Sequence, residues 1–209
     1  MRVLIESIAS VDEKDLEQKP QYITPERWEK ILRIRPVEDK KRSLLAGRLL
    51  YRMCRECGVT DPEYGTVKSG KPVLVNRPGP AFSVSHSGEY VVVAYTQKAS
   101  SIGADIQQIK SMSDGLKKRL LNENEVLWLE KKLSSKERED AMDETLYLNR
   151  LWAIKEGFVK MTGEGLSHDF RKLYVDMGEK IVRDENGCTA SFVEQEAPRG
   201  YVMAIITEK

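Results

Sequence analysis

Apolar and polar positions recur along this chain with two periods. Alternating or continuous β-branched runs predict strands at 2–8, 81–85, 89–96, 101–107, 172–177, 188–194 and 200–207. Apolar positions at helical spacing predict helices at 24–34, 38–57, 113–121, 123–134 and 143–162. Glycines and prolines are too frequent between residues 58 and 80 for long elements. Each half of the chain therefore has a comparable content of helix and strand.

The predicted helix at 143–162 carries two kinds of face. Its apolar stripe consists of Leu151, Ile154, Phe158 and Met161. Glu156 and Lys160 lie one turn apart, roughly opposite that stripe and in line with Trp152. This pair suits a site in which the carboxylate holds a metal and the ammonium holds a phosphate. The alternative is an exposed ion pair that contributes about 0.2–0.5 kcal/mol to the helix.

Two strand-like segments carry further polar groups. Phe82-Ser83-Val84-Ser85-His86-Ser87 ends in three hydroxyls around one histidine. In Ile102-Gly103-Ala104-Asp105-Ile106-Gln107, the alternation of a strand places Asp105 and Gln107 on one face. Gly103 permits close approach of a ligand to the backbone. Each segment alone is weak evidence for a site, because serine-rich turns and isolated strand aspartates are common.

Taken in order, F-S-V-S-H-S, G-A-D-I-Q and W-A-I-K-E-G-F-V-K resemble the signature series of 4′-phosphopantetheinyl transferases of the two-halved, surfactin-synthetase-activating type. Segments 24–30, 39–52, 70–72 and 199–204 fall where that family has its early and final motifs, so the resemblance covers most of the chain. It implies an α+β fold with two similar halves, 1–100 and 101–209, related by a pseudo-twofold. Coenzyme A would bind between them, and the second half would carry the metal site. A chain of this length would act as a monomer, because shorter single-half relatives build the cleft by oligomerising.

The resemblance implies transfer of the 4′-phosphopantetheine arm of coenzyme A to a serine hydroxyl of an apo acyl or peptidyl carrier protein. Adenosine 3′,5′-bisphosphate is released. The implied cofactor is Mg²⁺, with Asp105 and Glu156 as ligands. Gln107 stands where a third acid is often found, and ligation through its amide, action through a water and no metal contact all remain open. Glu156 would activate the serine directly or through a metal-bound water, and Lys160 would stabilise the departing group.

The resemblance also implies the residues that hold coenzyme A. Its nucleotide end would be held by Arg27, Lys30, Arg42 and Lys71, and its phosphates by Ser85 and His86. Arg27 and Lys30 lie three apart on a helix, so both can reach one phosphate. Lys155 would serve a phosphate or face solvent. Without the resemblance, the four nucleotide-binding positions would be interpreted as solvated surface charge.

The carrier protein is expected to dock near residues 112–128. Candidates for exposed apolar contacts in that segment are Leu116, Leu120 and Leu121, with burial in the core as the alternative. A Ser–His–Asp hydrolase is disfavoured, because neighbouring residues such as Ser85 and His86 point to opposite faces of an extended chain. The other interpretation of His86 is a histidine that packs in the core and has no role in binding or catalysis.

Composition narrows the classes of protein further. The 209 residues carry a net charge of +1, which gives no bulk attraction to nucleic acid or to an anionic membrane. No apolar run approaches the ~20 residues of a spanning helix, and Glu6 interrupts the N-terminal apolar run too early for a signal peptide. Three cysteines fit a reducing compartment, so a cytoplasmic location is expected. Cys54 and Cys57 lie in a helical run and are interpreted as ordinary helix residues rather than zinc or redox groups.

Two other functions are compatible with the same motifs. One is a coenzyme A-binding protein that has lost transferase activity through the change at Gln107. The other is a magnesium-dependent hydrolase of pyrophosphates, which would break down coenzyme A without any carrier protein.

Overall fold

The computed structural model describes residues 1–67, 70–75, 79–134, 143–165 and 168–208. Within these residues the helices are α1 (Pro25–Arg33), α2 (Val37–Glu56), α3 (Asp114–Leu120), α4 (Glu123–Ser134) and α5 (Glu144–Thr162). The strands are β1 (Arg2–Ser7), β2 (Tyr64–Thr66), β3 (Pro72–Leu74), β4 (Ala81–Ser87), β5 (Tyr90–Thr96), β6 (Ile102–Gln108), β7 (Leu173–Asp176), β8 (Ile181–Asp184), β9 (Thr189–Glu194) and β10 (Tyr201–Glu208).

Local sequence signals account for the ends of the principal helices. The Thr24 hydroxyl caps α1 by accepting a hydrogen bond from the backbone N–H of Arg27, and Pro25 occupies the first helical position. Helix α5 begins after Asp143, whose side chain accepts from the N–H of Leu146. It ends at Gly163, which adopts the left-handed conformation (φ 76°) that glycine tolerates best. These boundaries agree with the sequence predictions.

Three short strands were not predicted. Strands β2 and β3 pair with each other inside the stretch rich in glycine and proline, and β8 lies between β7 and β9. Segments of three or four residues are too short to establish a period of two. Each is defined by pairing with the strand next to it in the sequence rather than by its own residue pattern.

The N-terminal half is built on an antiparallel sheet in the order β1-β5-β4. Val91, Val93 and Tyr95 of β5 share one core cluster with Leu45 and Leu49 of α2. Cys54 is buried near the C-terminal end of α2, and Cys57 is the C-cap of that helix. Both have free thiols, as does Cys188. In the part of the chain that the structure describes, no helix has the length and apolar character to cross a membrane.

The C-terminal half is built on a five-stranded sheet in the order β6-β10-β9-β8-β7, with α5 packed along β6 and β10. The second face of the first sheet meets this half: Val92 and Ala94 of β5 cluster with Ala104 and Ile106 of β6 and with Ile205. The protein therefore has a two-halved α+β fold, in which β6 is central because it contacts both α5 and the N-terminal sheet.

Close approach of β6 to α5 depends on Gly103. A Cβ at this position would lie 1.8 Å from the carbonyl oxygen of Gly157 and 2.6 Å from the backbone nitrogen of Met161. Both neighbours are backbone atoms, so a substituted side chain would force the helix away from the strand. Because Asp105 follows on the same face of β6, this contact also sets the distance from Asp105 to the residues of α5.

Gly103→Ala is expected to destabilise the fold by about 3 kcal/mol, the upper end of the usual range for overpacking. This corresponds to a fall in Tm of roughly 6–12 °C for a domain of this size. Gly115→Ala in α3 is the matched control, because no atom lies within 4 Å of its added Cβ. Denaturant unfolding of both variants measures the difference, and equal stabilities would contradict the packing argument.

Candidate functional site

Three residues assigned from the sequence to metal binding and catalysis meet at the face between β6 and α5. The Lys160 ammonium lies 2.6 Å from Oδ1 of Asp105 and 4.0 Å from Oε1 of Glu156. Glu156 and Lys160 are one turn apart on α5, and the glycine contact brings Asp105 against the same turn. Two carboxylates that are distant in the sequence therefore flank one ammonium.

Both carboxylates are buried: Asp105 is 4% exposed and Glu156 is 8% exposed. Burial raises the pKa of Glu156, and the neighbouring charge of Asp105 acts in the same direction, while Lys160 opposes the rise. Protonation of Glu156 is thus easier here than in water. A further positive charge placed next to Glu156 would favour its ionised form.

Each carboxylate has a buried oxygen that finds no hydrogen-bond partner among the residues that the structure describes. These buried atoms are Oδ2 of Asp105 and Oε2 of Glu156. An unpaired buried anionic oxygen is costly, and a hard divalent cation is a partner that such oxygens favour. The donor set therefore fits Mg²⁺. Over the described ranges, no group of three or more His, Cys, Asp or Glu residues is arranged to hold a metal.

Gln107 lies two residues after Asp105 on the same face of β6 and is partly buried. It is paired in register with Val202 of β10. Its amide is thus on the side of the strand that carries the carboxylate. Its role as a metal ligand stays a prediction.

Ser85 and His86 point to opposite sides of β4, as the alternation of a strand requires. The Ser85 hydroxyl is buried and donates to Oδ1 of Asp105 at 2.6 Å. His86 lies on the other side, in the wall of a cleft that removes part of its surrounding water while leaving the residue accessible. Loss of surrounding water lowers the pKa of His86, and the positive charges of Arg42 and Lys160 lower it further. The imidazole is therefore predominantly neutral near pH 7 and has one N–H to donate.

His86 lines a cleft of about 470 Å³ together with Arg27 and Arg42. One Arg27 nitrogen donates to the carbonyl of Ser43 at 2.9 Å, while its Nε is buried without a partner. Burial lowers the pKa of Arg27. Arg42 donates to the carbonyl of Gly88 at 2.6 Å and pairs with Asp39. Two guanidinium groups and an imidazole line this opening with one carboxylate, Asp39, so its donors outnumber its anionic groups and suit an anionic ligand.

A second cavity of about 240 Å³ contains Glu156 and Lys160, together with Lys71 from the N-terminal half. Pro72 and Val84 line both this cavity and the basic cleft, so the two openings adjoin. The Lys71 ammonium donates to the carbonyls of Ile102 (3.1 Å) and Met161 (3.4 Å). A ligand that fills both openings would extend from the arginines to Glu156.

Three predicted ligands of coenzyme A line neither opening, and Ser85 is one of them. Lys30 is exposed on α1, and it does not line either opening. Lys155 is fully buried, and its ammonium donates to the carbonyls of Leu120 and Phe170 and to Glu125. The assignment of Lys155 to a phosphate is therefore corrected: these three oxygens already use its three donors.

The structure decides between the two alternatives for the leucines of the segment predicted to meet the carrier protein. Leu120 and Leu121 belong to the core rather than to the surface, whereas Leu116 is half-buried. Exposed apolar side chains occur slightly later, at Leu127 and Trp128 of α4. The register of helix α3 could not be assigned to core or surface from a seven-residue segment.

Two features were not expected from the sequence. The hydroxyls of Ser83 and Ser87 accept hydrogen bonds from backbone N–H groups of β6, and Lys155 is buried. A signal for the first was the spacing of three serines at every second position of β4. A signal for the second was the apolar character of α5 on several faces, since such a helix is usually buried all round and any lysine inside must be paired.

The larger cavity of about 600 Å³ in the C-terminal half is lined by Trp128, Tyr147, Tyr174 and Arg183, among others. None of the site residues predicted from the sequence lines it. Volume alone therefore does not identify the site, and the paired carboxylates with the adjoining basic cleft are the better candidate.

Two family models match the chain. Residues 101–206 match the model described as "4′-phosphopantetheinyl transferase superfamily", and residues 10–98 match "4′-phosphopantetheinyl transferase, N-terminal". All of the acidic residues of the candidate site fall in the first match, and the basic cleft falls in the second.

Curated relatives are similar over most of the chain. A 4′-phosphopantetheinyl transferase of Bacillus subtilis is 30% identical, covering 88% of this chain and 81% of its own. The 4′-phosphopantetheinyl transferase Sfp of Bacillus subtilis strain 168 is 28% identical and covers 93% and 86%. An L-aminoadipate-semialdehyde dehydrogenase-phosphopantetheinyl transferase of Mus musculus is 29% identical and covers 74% and 53%.

Proposed function

Since the chain belongs to the 4′-phosphopantetheinyl transferase superfamily and transfers phosphopantetheine from coenzyme A to carrier proteins, we propose that it does so at Asp105 and Glu156 with Mg²⁺. The observation that carries this proposal is the pair of buried carboxylate oxygens without partners. Mg²⁺ needs only one or two protein carboxylates when substrate phosphates complete its oxygen shell. When bound, the ion would neutralise charge on the pyrophosphate of coenzyme A.

Glu156 is the proposed proton acceptor. The serine hydroxyl of the carrier forms a bond to the phosphorus that bears the phosphopantetheine arm, and the bond from that phosphorus to the leaving adenosine 3′,5′-bisphosphate breaks. The serine proton passes to Glu156, directly or through a water. Lys160 lies within reach of both carboxylates and would stabilise the negative charge of the leaving group.

The basic cleft is the proposed position of the nucleotide end of coenzyme A. Arg27, Arg42 and His86 surround it, and Lys71 lines the adjoining cavity. Lys30, exposed on the same helix as Arg27, could reach a 3′-phosphate that projects from the cleft. The pyrophosphate would then lie where the two openings meet, next to Lys160.

We propose that residues 1–100 and 101–209 form the two halves and that the enzyme works as a monomer, because both halves of the site come from one chain. Its net charge of +1 gives no reason to expect nucleic acid or a membrane as a partner. A cytoplasmic location is supported by the free cysteines, which suit a reducing compartment. The carrier protein would dock against residues 112–128, with Leu127 and Trp128 as exposed apolar contacts.

Incubation of the protein with coenzyme A, Mg²⁺ and an apo carrier is expected to add one phosphopantetheine to the carrier, detected by intact mass spectrometry. Chelation with EDTA should abolish the gain, and excess Mg²⁺ should restore it. A carrier with its acceptor serine changed to alanine is the control. Coenzyme A binding with no mass gain on several carriers would favour a binding protein, and coenzyme A breakdown without carrier would favour a hydrolase.

A further inference from the structure

Three serines of β4 join the edges of the two sheets. The hydroxyls of Ser83, Ser85 and Ser87 accept hydrogen bonds from the backbone N–H groups of Ala104 (3.0 Å), Ile106 (3.3 Å) and Gln108 (3.0 Å). These alternate N–H groups lie on the edge of β6 that β10 does not cover. Side-chain hydroxyls thus take the place of the carbonyls that a neighbouring strand would supply.

Ser85 makes additional contacts at the carboxylates. Its hydroxyl donates to Oδ1 of Asp105 at 2.6 Å and accepts from the Lys160 ammonium at 3.0 Å. Ser83 is buried to nearly the same degree, at 3% against 4% exposure, and its bond is to the β6 backbone. Both serines therefore hydrogen-bond the backbone of β6, but of the two it is Ser85 whose hydroxyl bonds Asp105 and Lys160.

The hydrogen-bonding capacity of the Ser85 hydroxyl is fully used. A hydroxyl has one proton to donate and two lone pairs that accept. The proton goes to Asp105, and the lone pairs receive the N–H of Ile106 and the ammonium of Lys160. Donation to a phosphate of coenzyme A would require the bond to Asp105 to break.

Oδ1 of Asp105 receives both the Ser85 hydroxyl and the Lys160 ammonium, whereas Oδ2 has no partner in the described part of the chain. The terminal torsion of an aspartate is broad, so an unrestrained carboxylate samples many orientations. Two bonds to the same oxygen restrict that rotation and keep the other oxygen directed away from them.

We propose that Ser85 is a positioning residue, which holds Asp105 by Oδ1 so that Oδ2 is presented to the metal, and that it is not a ligand of coenzyme A. This inference rests on the proposed binding of Mg²⁺ by Asp105. Loss of a group that orients a metal ligand typically lowers metal affinity by about 10–100-fold. The effect should appear in metal binding and not in the binding of coenzyme A without metal.

The test compares Ser85→Ala with Ser87→Ala, which removes the equivalent bond from the N–H of Gln108, lies outside both openings and leaves Asp105 held. Mn²⁺, which accepts the same oxygen ligands, is titrated into protein saturated with coenzyme A in the absence of carrier, so no turnover occurs. Binding is read from the relaxation of water protons. Calorimetry in EDTA measures the affinity for coenzyme A. Thermal unfolding measures the stability lost with the hydrogen bond between β4 and β6.

Ser85→Ala is expected to weaken Mn²⁺ binding by about 10–100-fold while coenzyme A affinity in EDTA stays within about twofold. Ser87→Ala should lower the unfolding midpoint but leave both affinities unchanged. Equal Mn²⁺ affinities in Ser85→Ala and the unchanged protein would overturn the inference, as would equal losses in both variants. A large loss of coenzyme A affinity in EDTA would identify Ser85 as a phosphate ligand instead. Absence of Mn²⁺ binding in the unchanged protein would instead refute the proposed metal site itself.

Discussion

Replacing Glu156 with glutamine is expected to lower kcat/KM for carrier modification by about 10²-fold or more, the usual effect of removing one electrostatic stabiliser. Glutamine has nearly the same shape, so packing at this buried position should be conserved. The change removes the negative charge next to Asp105 and Lys160 and the proposed acceptor of the serine proton. Rates of carrier modification at limiting coenzyme A measure the effect.

The exposed Glu179→Gln variant is the control, because this residue lies in the turn after β7, away from the carboxylates. A Glu156→Gln rate within about twofold of the unchanged enzyme would refute both roles assigned to Glu156, since such a change is far below the expected effect.

The pH dependence of kcat/KM provides a second measure of the same residue. Burial and Asp105 raise the pKa of Glu156 in the free protein, against the opposing effect of Lys160. The protonated acid neither binds a cation nor accepts a proton, so kcat/KM should fall as the pH decreases through this raised pKa. Glu156→Gln should lack this acid limb, and an identical limb in the variant would assign it to another group.

Replacing Lys155 with methionine is expected to destabilise the protein by about 3–5 kcal/mol, because removing one partner leaves a buried charge uncompensated. Lys155 is 0% exposed, and its ammonium lies 2.7 Å from Oε2 of Glu125. The carbonyls of Leu120 and Phe170 accept its other hydrogen bonds, at 2.8 and 3.0 Å. A loss of this size is a large part of the stability of a typical domain.

The double variant Lys155→Met/Glu125→Gln separates the unpaired charge from lost packing. Burial raises the pKa of Glu125 and lowers that of Lys155, so each charged form is costly without the other. Glutamine is neutral and keeps an oxygen for the backbone N–H of Asn122, which Glu125 now caps. The double variant should therefore be more stable than Lys155→Met alone in denaturant unfolding.

Lys98→Met, at an exposed position, is the control for the change of side chain. A loss below about 1 kcal/mol in Lys155→Met would show that Glu125 finds another partner or becomes neutral at little cost, contrary to the expected penalty of a buried unpaired charge.

Several features of the site follow from local periodicity, which the sequence contains. The 3.6-residue repeat places Glu156 and Lys160 on one face of α5, and the structure has them one turn apart. The period of two along β4 separates Ser85 from His86, and these side chains do lie on opposite sides of the strand. Element types and helix ends could be predicted for the same reason, since each depends on neighbours within a few residues.

Whether a charged side chain finds an ion-pair or hydrogen-bond partner depends on segments that are distant in the sequence. Asp105 reaches Lys160 because Gly103 lets the backbone of α5 approach β6, and Lys155 is buried because Glu125 and two carbonyls come to it from other segments. The sequence alone determined how each side chain is oriented on its own helix or strand. Only the tertiary structure decided which of the charged groups became buried and paired, because burial and pairing depend on the atoms that pack against an element from outside it.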